Sequence, residues 1–292
     1  MGELFDTGPT RRQPGESRTF GDRSSPPGDD RLDRLRRLDA LARRVPPCDL
    51  CGGTLNGEAL RDRWGQFVCT SHREQLRPCR FCYRVVLPPA GGQTADSYDT
   101  RCRSCRETAV RQIDETQARF AEVVHWARDA GLRSDGLELT VELASPDRLA
   151  HLLADRASGD TLGATVTLVY RQPNMPSMAR VRGVALLDGL PASLFGGVVA
   201  HELGHVWLAA HGVLGQPVWA QEGLCSVLGH RYYRSVGTTA AGFHADDIER
   251  NRDPVYGDGF RRVNAVVTQY GLSAVLAHLS STGQFPRGAP SP

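Results

Sequence analysis

Residues 195–211 read Phe-Gly-Gly-Val-Val-Ala-His-Glu-Leu-Gly-His-Val-Trp-Leu-Ala-Ala-His, an apolar stretch that contains the motif HExxH. On a helix, this spacing places the imidazoles of His201 and His205 one turn apart on the same face, where both can bind one zinc ion. Valine and leucine residues surround the polar side chains of the motif. The stretch therefore predicts a zinc site on an apolar helix, with a chance occurrence of HExxH as the alternative interpretation.

A second carboxylate follows the motif, because Glu222 lies 17 residues after His205, near the start of another apolar helix predicted for residues 219–233. Two histidines and one glutamate form the protein ligands of one class of catalytic zinc sites, which leaves the fourth position to water. Zinc lowers the pKa of such a water to about 7, and Glu202 can accept its proton. This residue set is typical of a metallopeptidase.

Seven of the eight cysteines and one histidine form four pairs with two residues between the members of each pair. The pairs are Cys48 with Cys51, Cys69 with His72, Cys79 with Cys82, and Cys102 with Cys105. Two such pairs complete a tetrahedral site, so we expect two structural zinc ions, the first four residues on one and the last four on the other. Spacing alone leaves an interleaved pairing open.

A disulfide framework is the alternative for these cysteines. It is less favoured, because no secretory signal precedes the pairs and His72 occupies a position that a cysteine would take in a disulfide pattern. The remaining cysteine, Cys225, follows Glu222 among apolar residues. We predict that it is a buried, unreactive thiol.

Composition and periodicity divide the chain into successive segments. The first thirty residues are rich in Gly, Pro, Ser and Arg and predict a disordered tail, and residues 31–45 repeat apolar positions as in a basic amphipathic helix. The remaining segments are a zinc-binding module at 46–106, the domain that carries HExxH at 107–288, and a tail at 289–292.

The domain at 107–288 reads as a small sheet followed by helices, which predicts an α+β fold. Alternating or β-branched runs predict strands at 137–143, 162–170 and 179–187. Helices are predicted at 107–130, 147–155, 259–270 and 272–281. Pro191 suits the first turn of the HExxH helix, and Gly257-Asp258-Gly259 is predicted to form a loop.

The charge and hydropathy of the chain exclude some classes of protein. The net charge is only +2, and all 35 basic residues are arginine. The sequence contains no apolar run of the ~18 residues that a membrane span requires. The N-terminal residues lack the apolar segment of a secretory signal, so we expect a cytoplasmic protein that does not associate with a membrane.

These motifs together resemble the DA-one family, LIM-domain zinc peptidases of plants that are linked to ubiquitin and have shorter bacterial relatives. The matching stretches occur in the family's order and are Leu187–Pro191, Ala200–Leu208, Gln221–His230 and Val255–Arg261. The resemblance implies a gluzincin-type zinc metallopeptidase domain preceded by a small LIM-like double-zinc module. It also implies that His201, His205 and Glu222 bind the catalytic zinc and that Glu202 is the general base.

A peptidase also needs a group that stabilises the oxyanion of the transition state. The sequence offers two candidates for this catalytic role, His230 on the helix of Glu222 and Tyr256 in a matched stretch. An extended peptide could pair with the edge of the strand at 179–187, unless that strand lies inside the sheet.

The expected partners are a protein or peptide substrate and a protein that docks on the LIM-like module. The plant family members carry acidic ubiquitin-interacting helices, whereas the helix predicted at 31–45 is basic, so ubiquitin binding is not expected. A catalytically silent LIM-like zinc adaptor is the alternative function. A nucleic-acid-binding zinc module is less favoured, because few aromatic residues accompany the arginines of residues 71–106.

Overall fold

The computed structural model describes residues 46–55, 57–87, 100–133, 137–153, 161–170 and 178–286. The chain divides into two compact units, residues 1–102 and residues 103–292. The predicted disordered tail at 1–30, the basic helix at 31–45 and the tail at 289–292 lie outside the described residues. Within the described ranges, no helix is both long enough and apolar enough to cross a membrane.

The first unit contains two short antiparallel hairpins. Strand β1 (Ala59–Arg61) pairs with β2 (Phe67–Cys69), and β3 (Arg77–Pro78) pairs with β4 (Val85–Val86). A single turn of 3₁₀ helix, Thr70–His72, follows β2. The buried core of the hairpins is small and consists of Cys48, Leu55, Leu60, Val68 and Val85.

Asp62 connects the two hairpins through its buried side chain. Its Oδ1 accepts hydrogen bonds from the backbone N–H groups of Trp64 and Gln66, both at 2.9 Å. Its Oδ2 accepts a third bond from the N–H of Val85 in β4, at 3.3 Å. One carboxylate therefore shapes the β1–β2 turn and holds β4 against it, beside the small apolar core that the described residues of this unit form.

The second unit contains a three-stranded sheet with the order β5-β7-β6. Its strands are β5 (Val141–Ala144), β6 (Gly163–Tyr170) and β7 (Met178–Leu187). The central strand, β7, is parallel to β5 and antiparallel to β6. The sheet matches the predicted strands closely, although β5 is shorter than the alternating pattern at 137–143.

Eight helices are present in the described part of the second unit. They are α1 (Arg103–Glu107), α2 (Ile113–Asp129), α3 (Pro146–Leu152), α4 (Ala192–Ala210), α5 (Val218–Val236), α6 (Thr239–Arg250), α7 (Tyr256–Tyr270) and α8 (Leu272–Thr282). The HExxH motif lies on α4, which begins directly after Pro191 and packs against both α5 and the sheet. The observed architecture is therefore a mixture of helices and sheet, as the α+β prediction requires.

Three details differ from the sequence predictions. The helix predicted from residue 107 begins only at Ile113, because the N–H of Val110 and the C=O of Thr108 bond to the segment after β7 instead. Helix α6 was not predicted. Gly257 and Gly259 do not form a loop but lie in the first turn of α7.

The two glycines of α7 are required for close packing, not for a turn. A Cβ at Gly257 would lie 2.0 Å from the carbonyl oxygen of Asn251, and one at Gly259 would lie 2.3 Å from that of Trp219. Neither glycine has the positive φ of a turn residue. The prediction of a loop was wrong because a sequence does not distinguish a glycine that turns the chain from one that admits a neighbouring backbone.

Candidate metal centres

Helix α4 brings the three polar residues of the HExxH motif to one place. The ring centroids of His201 and His205 lie 5.2 Å apart, which is the one-turn separation that the spacing predicts. Glu202 is buried and projects toward strand β6. Most of α4 is buried, so its polar side chains lie at the edge of an apolar core.

Helix α5 supplies Glu222 to the same place. One oxygen of Glu222 (Oε2) lies 3.1 Å from Nε2 of His201 and 3.6 Å from Nε2 of His205. Desolvation raises the pKa of Glu222, but hydrogen bonds and charge from the two imidazoles outweigh it and hold the pKa well below its ordinary value. The carboxylate is therefore ionised and in contact with both imidazoles, as a third metal ligand would be.

His205 interacts with both Cys225 and Glu222. Desolvation lowers its pKa, but the interactions with Cys225 and Glu222 outweigh it and raise the pKa well above the ordinary value. Without a metal, these neighbours therefore favour the protonated form of the His205 imidazole. A cation at the same position would replace that proton, because metal binding requires the neutral imidazole.

Strand β6 holds Glu202 by a contact that the sequence did not reveal. The hydroxyl of Thr165 donates to Oε2 of Glu202 at 2.8 Å and lies 3.0 Å from the backbone oxygen of the same residue. A Cβ at Gly163 would lie 3.0 Å from Oε1 of Glu202. Gly163 and Thr165 lie on one face of β6. The glycine leaves room for the carboxylate of Glu202, and the threonine hydroxyl orients it.

The two oxyanion candidates have different surroundings. The Tyr256 ring lies 6.5 Å from that of His201, between centroids, and the side chain is about half exposed. Nε2 of His230 lies 2.7 Å from Oε1 of Glu249, and the His230 ring packs against Phe260. Tyr256 therefore faces the histidine pair, whereas the contacts of His230 are with α6 and α7.

Cys225 also lies beside the HExxH residues. The thiol is buried, as the sequence predicted. Its sulfur and one ring nitrogen from each of His201 and His205 all lie within 4.8 Å of one another. The sequence signal for this contact was the spacing of three residues from Glu222, which places both side chains on one face of α5.

The paired cysteines form two further clusters. The ligand atoms of Cys48, Cys51, Cys69 and His72 lie within 4.8 Å of one another, and so do those of Cys79, Cys82, Cys102 and Cys105. This is the sequential grouping, not the interleaved one. All eight cysteines are free, so the structure contains no disulfide framework.

Details of the clusters fit a bound cation. Nε2 of His72 is buried and has no hydrogen-bond partner among the described residues, although it faces three thiols. Desolvation raises the pKa of Cys48, but hydrogen bonds led by the backbone N–H of Cys69 outweigh it and lower the pKa to about 6. In the other cluster, Cys102 donates its N–H to the sulfur of Cys79 at 3.3 Å. These N–H groups favour thiolates at Cys48 and Cys79, whereas at Cys51 the backbone N–H of Gly53 lowers the pKa but contact with the thiols of Cys48 and Cys69 outweighs it and raises the pKa, so a cation would be needed to deprotonate the whole set.

Part of the chain is similar to a known protein family. A family model described as "DA1-like: Protein DA1" matches residues 155–242 and 236–282, the part of the chain that contains β6, the HExxH helix and Glu222. Residues 155–282 of the chain are thus similar to a DA1-like domain. The resemblance to the DA-one family that the motifs predicted is therefore confirmed.

Curated relatives extend the similarity of the DA1-like chain beyond that domain. Protein DA1 of Arabidopsis thaliana is 26% identical, and the alignment covers 82% of this chain and 57% of the relative. Protein DA1-related 1 of the same plant is 25% identical over 82% of this chain and 55% of its own length. The LIM domain-containing protein HDR3 of Oryza sativa subsp. japonica is 24% identical over 82% and 62%.

The chain spans about half the length of the curated relatives that it matches. No solved structure matches the chain significantly. The name of the rice relative includes a LIM domain, which is consistent with cysteine clusters that can hold zinc.

Proposed function

We propose that the chain is a zinc-dependent endopeptidase in which His201, His205 and Glu222 hold one catalytic zinc ion. The observation that carries the proposal is the convergence of these three side chains from two helices, with Glu222 at 3.1 and 3.6 Å from the two imidazoles. Two histidines and a glutamate are the donor set of a catalytic zinc site. Two structural zinc ions in the cysteine clusters complete the proposal.

When bound, zinc supplies a Lewis acid that polarises the peptide carbonyl and makes water more acidic. Glu202 accepts the proton of the attacking water and passes it to the leaving amine. Thr165 holds Oε2 of Glu202 at 2.8 Å, which leaves Oε1 of the carboxylate to take up this proton. The same hydroxyl fixes the rotamer of the general base before the substrate arrives.

Tyr256 is the candidate for oxyanion stabilisation that the surroundings favour. Desolvation raises its pKa, and the negative charge of Glu222 adds to this effect. The phenol therefore keeps its proton at neutral pH and can donate a hydrogen bond to a developing oxyanion. His230, which contacts Glu249 and Phe260, instead supports the packing of α5 against α6 and α7.

The position of the sheet favours one path for an extended substrate. Residues 184–186 of β7 are paired with β5 on one side and with β6 along the other, so this end of the strand offers no edge to a peptide, and of the two alternatives for 179–187 the internal strand applies there. Strand β6 is paired on one edge in the described sheet, and its residue Thr165 contacts Glu202. We infer that the substrate adds to the open edge of β6, which would place its backbone near the general base.

Zinc content and peptide cleavage together test the proposal. We expect about three zinc ions in the wild type and about two in Glu222→Ala, because two sites are structural. Glu202→Gln should keep all three ions and lose cleavage of a fluorogenic peptide library, since it removes the base but no ligand. Cleavage that survives in Glu202→Gln would refute the mechanism. Two ions in both the wild type and Glu222→Ala would favour a zinc adaptor without catalysis.

The zinc-binding module at 46–106 supplies a second part of the proposed function. Its cysteine clusters and the LIM-domain name of one relative support a role in docking a protein partner or the substrate. Within the first unit, exposed Tyr83 and the guanidinium of Arg63, 5.3 Å from its ring centroid, provide a surface of the kind that protein interfaces use.

A further inference from the structure

Cys225 is a buried nucleophilic group that the proposed mechanism does not use. It follows Glu222 by three residues on α5, so both side chains project from one face of the helix about one turn apart. Its side chain is fully buried. The sulfur and ring nitrogens of both His201 and His205 lie within 4.8 Å of one another. The thiol therefore approaches the histidine pair that Glu222 also contacts.

A glycine within HExxH makes this approach possible. A Cβ at Gly204 would lie 2.8 Å from Sγ of Cys225 and 3.2 Å from its Cα. Any other residue at this position would force α5 away from α4 and move the sulfur away from His205, the next residue along the chain. The second variable position of the motif is thus occupied by the one residue type that allows the thiol to come close.

We propose that the thiolate of Cys225 is a ligand of the same metal ion as His201 and His205. With Zn–N bonds of about 2.0–2.1 Å and a Zn–S bond of about 2.3 Å, the donor atoms of a tetrahedral site lie about 3.5 Å apart. Separations of at most 4.8 Å therefore need only small side-chain shifts. Coordination replaces the thiol proton, which leaves to solvent. The inference rests on the proposed function, because it concerns the catalytic ion.

A fourth protein ligand would change the resting state of the site. The donor atoms of His201, His205 and Cys225 form one group, and Oε2 of Glu222 contacts the same two imidazoles, so a further approach of Glu222 to Cys225 would let the protein fill all four positions of a tetrahedral zinc ion, as in structural sites. Water can then enter only when Cys225 dissociates from the ion. The site is therefore latent at rest, and Cys225→Ser should bind the metal at least about tenfold more weakly but cleave peptides faster when loaded.

Cobalt provides the direct test, because a thiolate bound to Co²⁺ gives a sulfur-to-metal charge-transfer band in the near ultraviolet. The full chain is first loaded with two equivalents of Zn²⁺ to fill the cysteine clusters, and one equivalent of Co²⁺ is then added. We expect the band in the wild type and its loss in Cys225→Ser, which should still show the visible bands of bound Co²⁺. The variant His201→Ala/His205→Ala is the matched control, since cobalt that enters a cysteine cluster would still give the band there.

The outcomes separate this inference from the proposed function. Bound Co²⁺ without a charge-transfer band in the wild type would overturn the Cys225 ligand and leave the peptidase proposal intact. No Co²⁺ bound at the third site would overturn both. The wild-type spectrum alone decides between these results, even if Cys225→Ser fails to fold.

Discussion

Gly223, which follows the proposed ligand Glu222, is the position where a single methyl group tests the packing of the site. A Cβ there would lie 2.4 Å from the carbonyl oxygen of Gly259 in α7 and 2.9 Å from Cγ2 of Val263, whereas ordinary contact begins at 3.4 Å. The nearest atom belongs to a backbone and not to a flexible side chain. Gly223→Ala must therefore move α5 and α7 apart by about 1 Å.

The expected cost follows from two opposing effects. Overpacking of this kind destabilises by about 1–3 kcal/mol, and the better helix propensity of alanine returns about 0.5–1 kcal/mol. Gly223→Ala should therefore destabilise the protein by about 0–2.5 kcal/mol. Gly242 is the matched control, because it lies in helix α6 and a Cβ there would meet nothing within 4 Å. Gly242→Ala should stabilise by about 0.5–1 kcal/mol.

Denaturant unfolding of the zinc-saturated chain, followed by the helical circular dichroism signal, measures both variants. Both substitutions replace glycine by alanine within a helix. Opposite signs of the two changes in unfolding free energy would therefore be due to the close approach of α5 to α7. Gly223→Ala should also lower the zinc content, because the displaced segment begins at Glu222. If Gly223→Ala stabilises the chain as much as Gly242→Ala does, the backbone contact on which this reasoning depends is wrong.

Three further predictions concern single groups. Thr165→Val removes the hydrogen bond to Glu202 and should lower kcat roughly tenfold or more with unchanged zinc content. Thr165→Ser keeps the hydroxyl and should restore the wild-type kcat. Equal kcat values in the two variants would exclude a positioning role for Thr165. The pKa of His205 is raised, and below that pKa a proton competes with the metal ion for the imidazole. The affinity for the third metal ion should therefore fall about tenfold for each pH unit below that pKa. Titrations with Co²⁺ at several pH values measure this affinity, and an affinity independent of pH would contradict the prediction. Asp62→Ala leaves three N–H groups without their acceptor and should destabilise the first unit by about 2–4 kcal/mol. Asp62→Asn keeps one acceptor oxygen and should destabilise it less. The rate at which a chelator removes zinc from the cysteine clusters measures the difference between the two variants.

The ligand spacing could be predicted from the sequence because it is local. HExxH fixes the separation of two imidazoles as soon as the segment is helical, and the x₂ spacing of the cysteine pairs acts in the same way. The glutamate at position 222 was identified by its type and its place on a second helix. Its contact with the imidazoles depends on how α4 and α5 cross, which no local pattern encodes.

Contacts between distant segments were missed for the same reason. Thr165 lies 37 residues before Glu202, and nothing in the alternating pattern of β6 marks one of its threonines as a partner of the motif. Helix α6, in contrast, had a local signal that was overlooked. Thr238 accepts a hydrogen bond from the N–H of Ala241, and buried residues recur at Ala241, His244 and Ala245.

Metal ions have different importance for the two units. The described residues of the two hairpins in the first unit share a cluster of only five buried residues, so on the proposed function zinc binding would supply much of the folding free energy of this module. The helices that carry HExxH and Glu222 instead pack through glycines at backbone distance, as at Gly204 and Gly229, before any ion binds. Because that packing already places Glu222 against both imidazoles, little of the binding free energy of the third ion is spent on ordering its ligands. Its affinity is then set by the donors themselves, which is why replacing a donor such as Cys225 or Glu222 should alter metal binding without unfolding the domain.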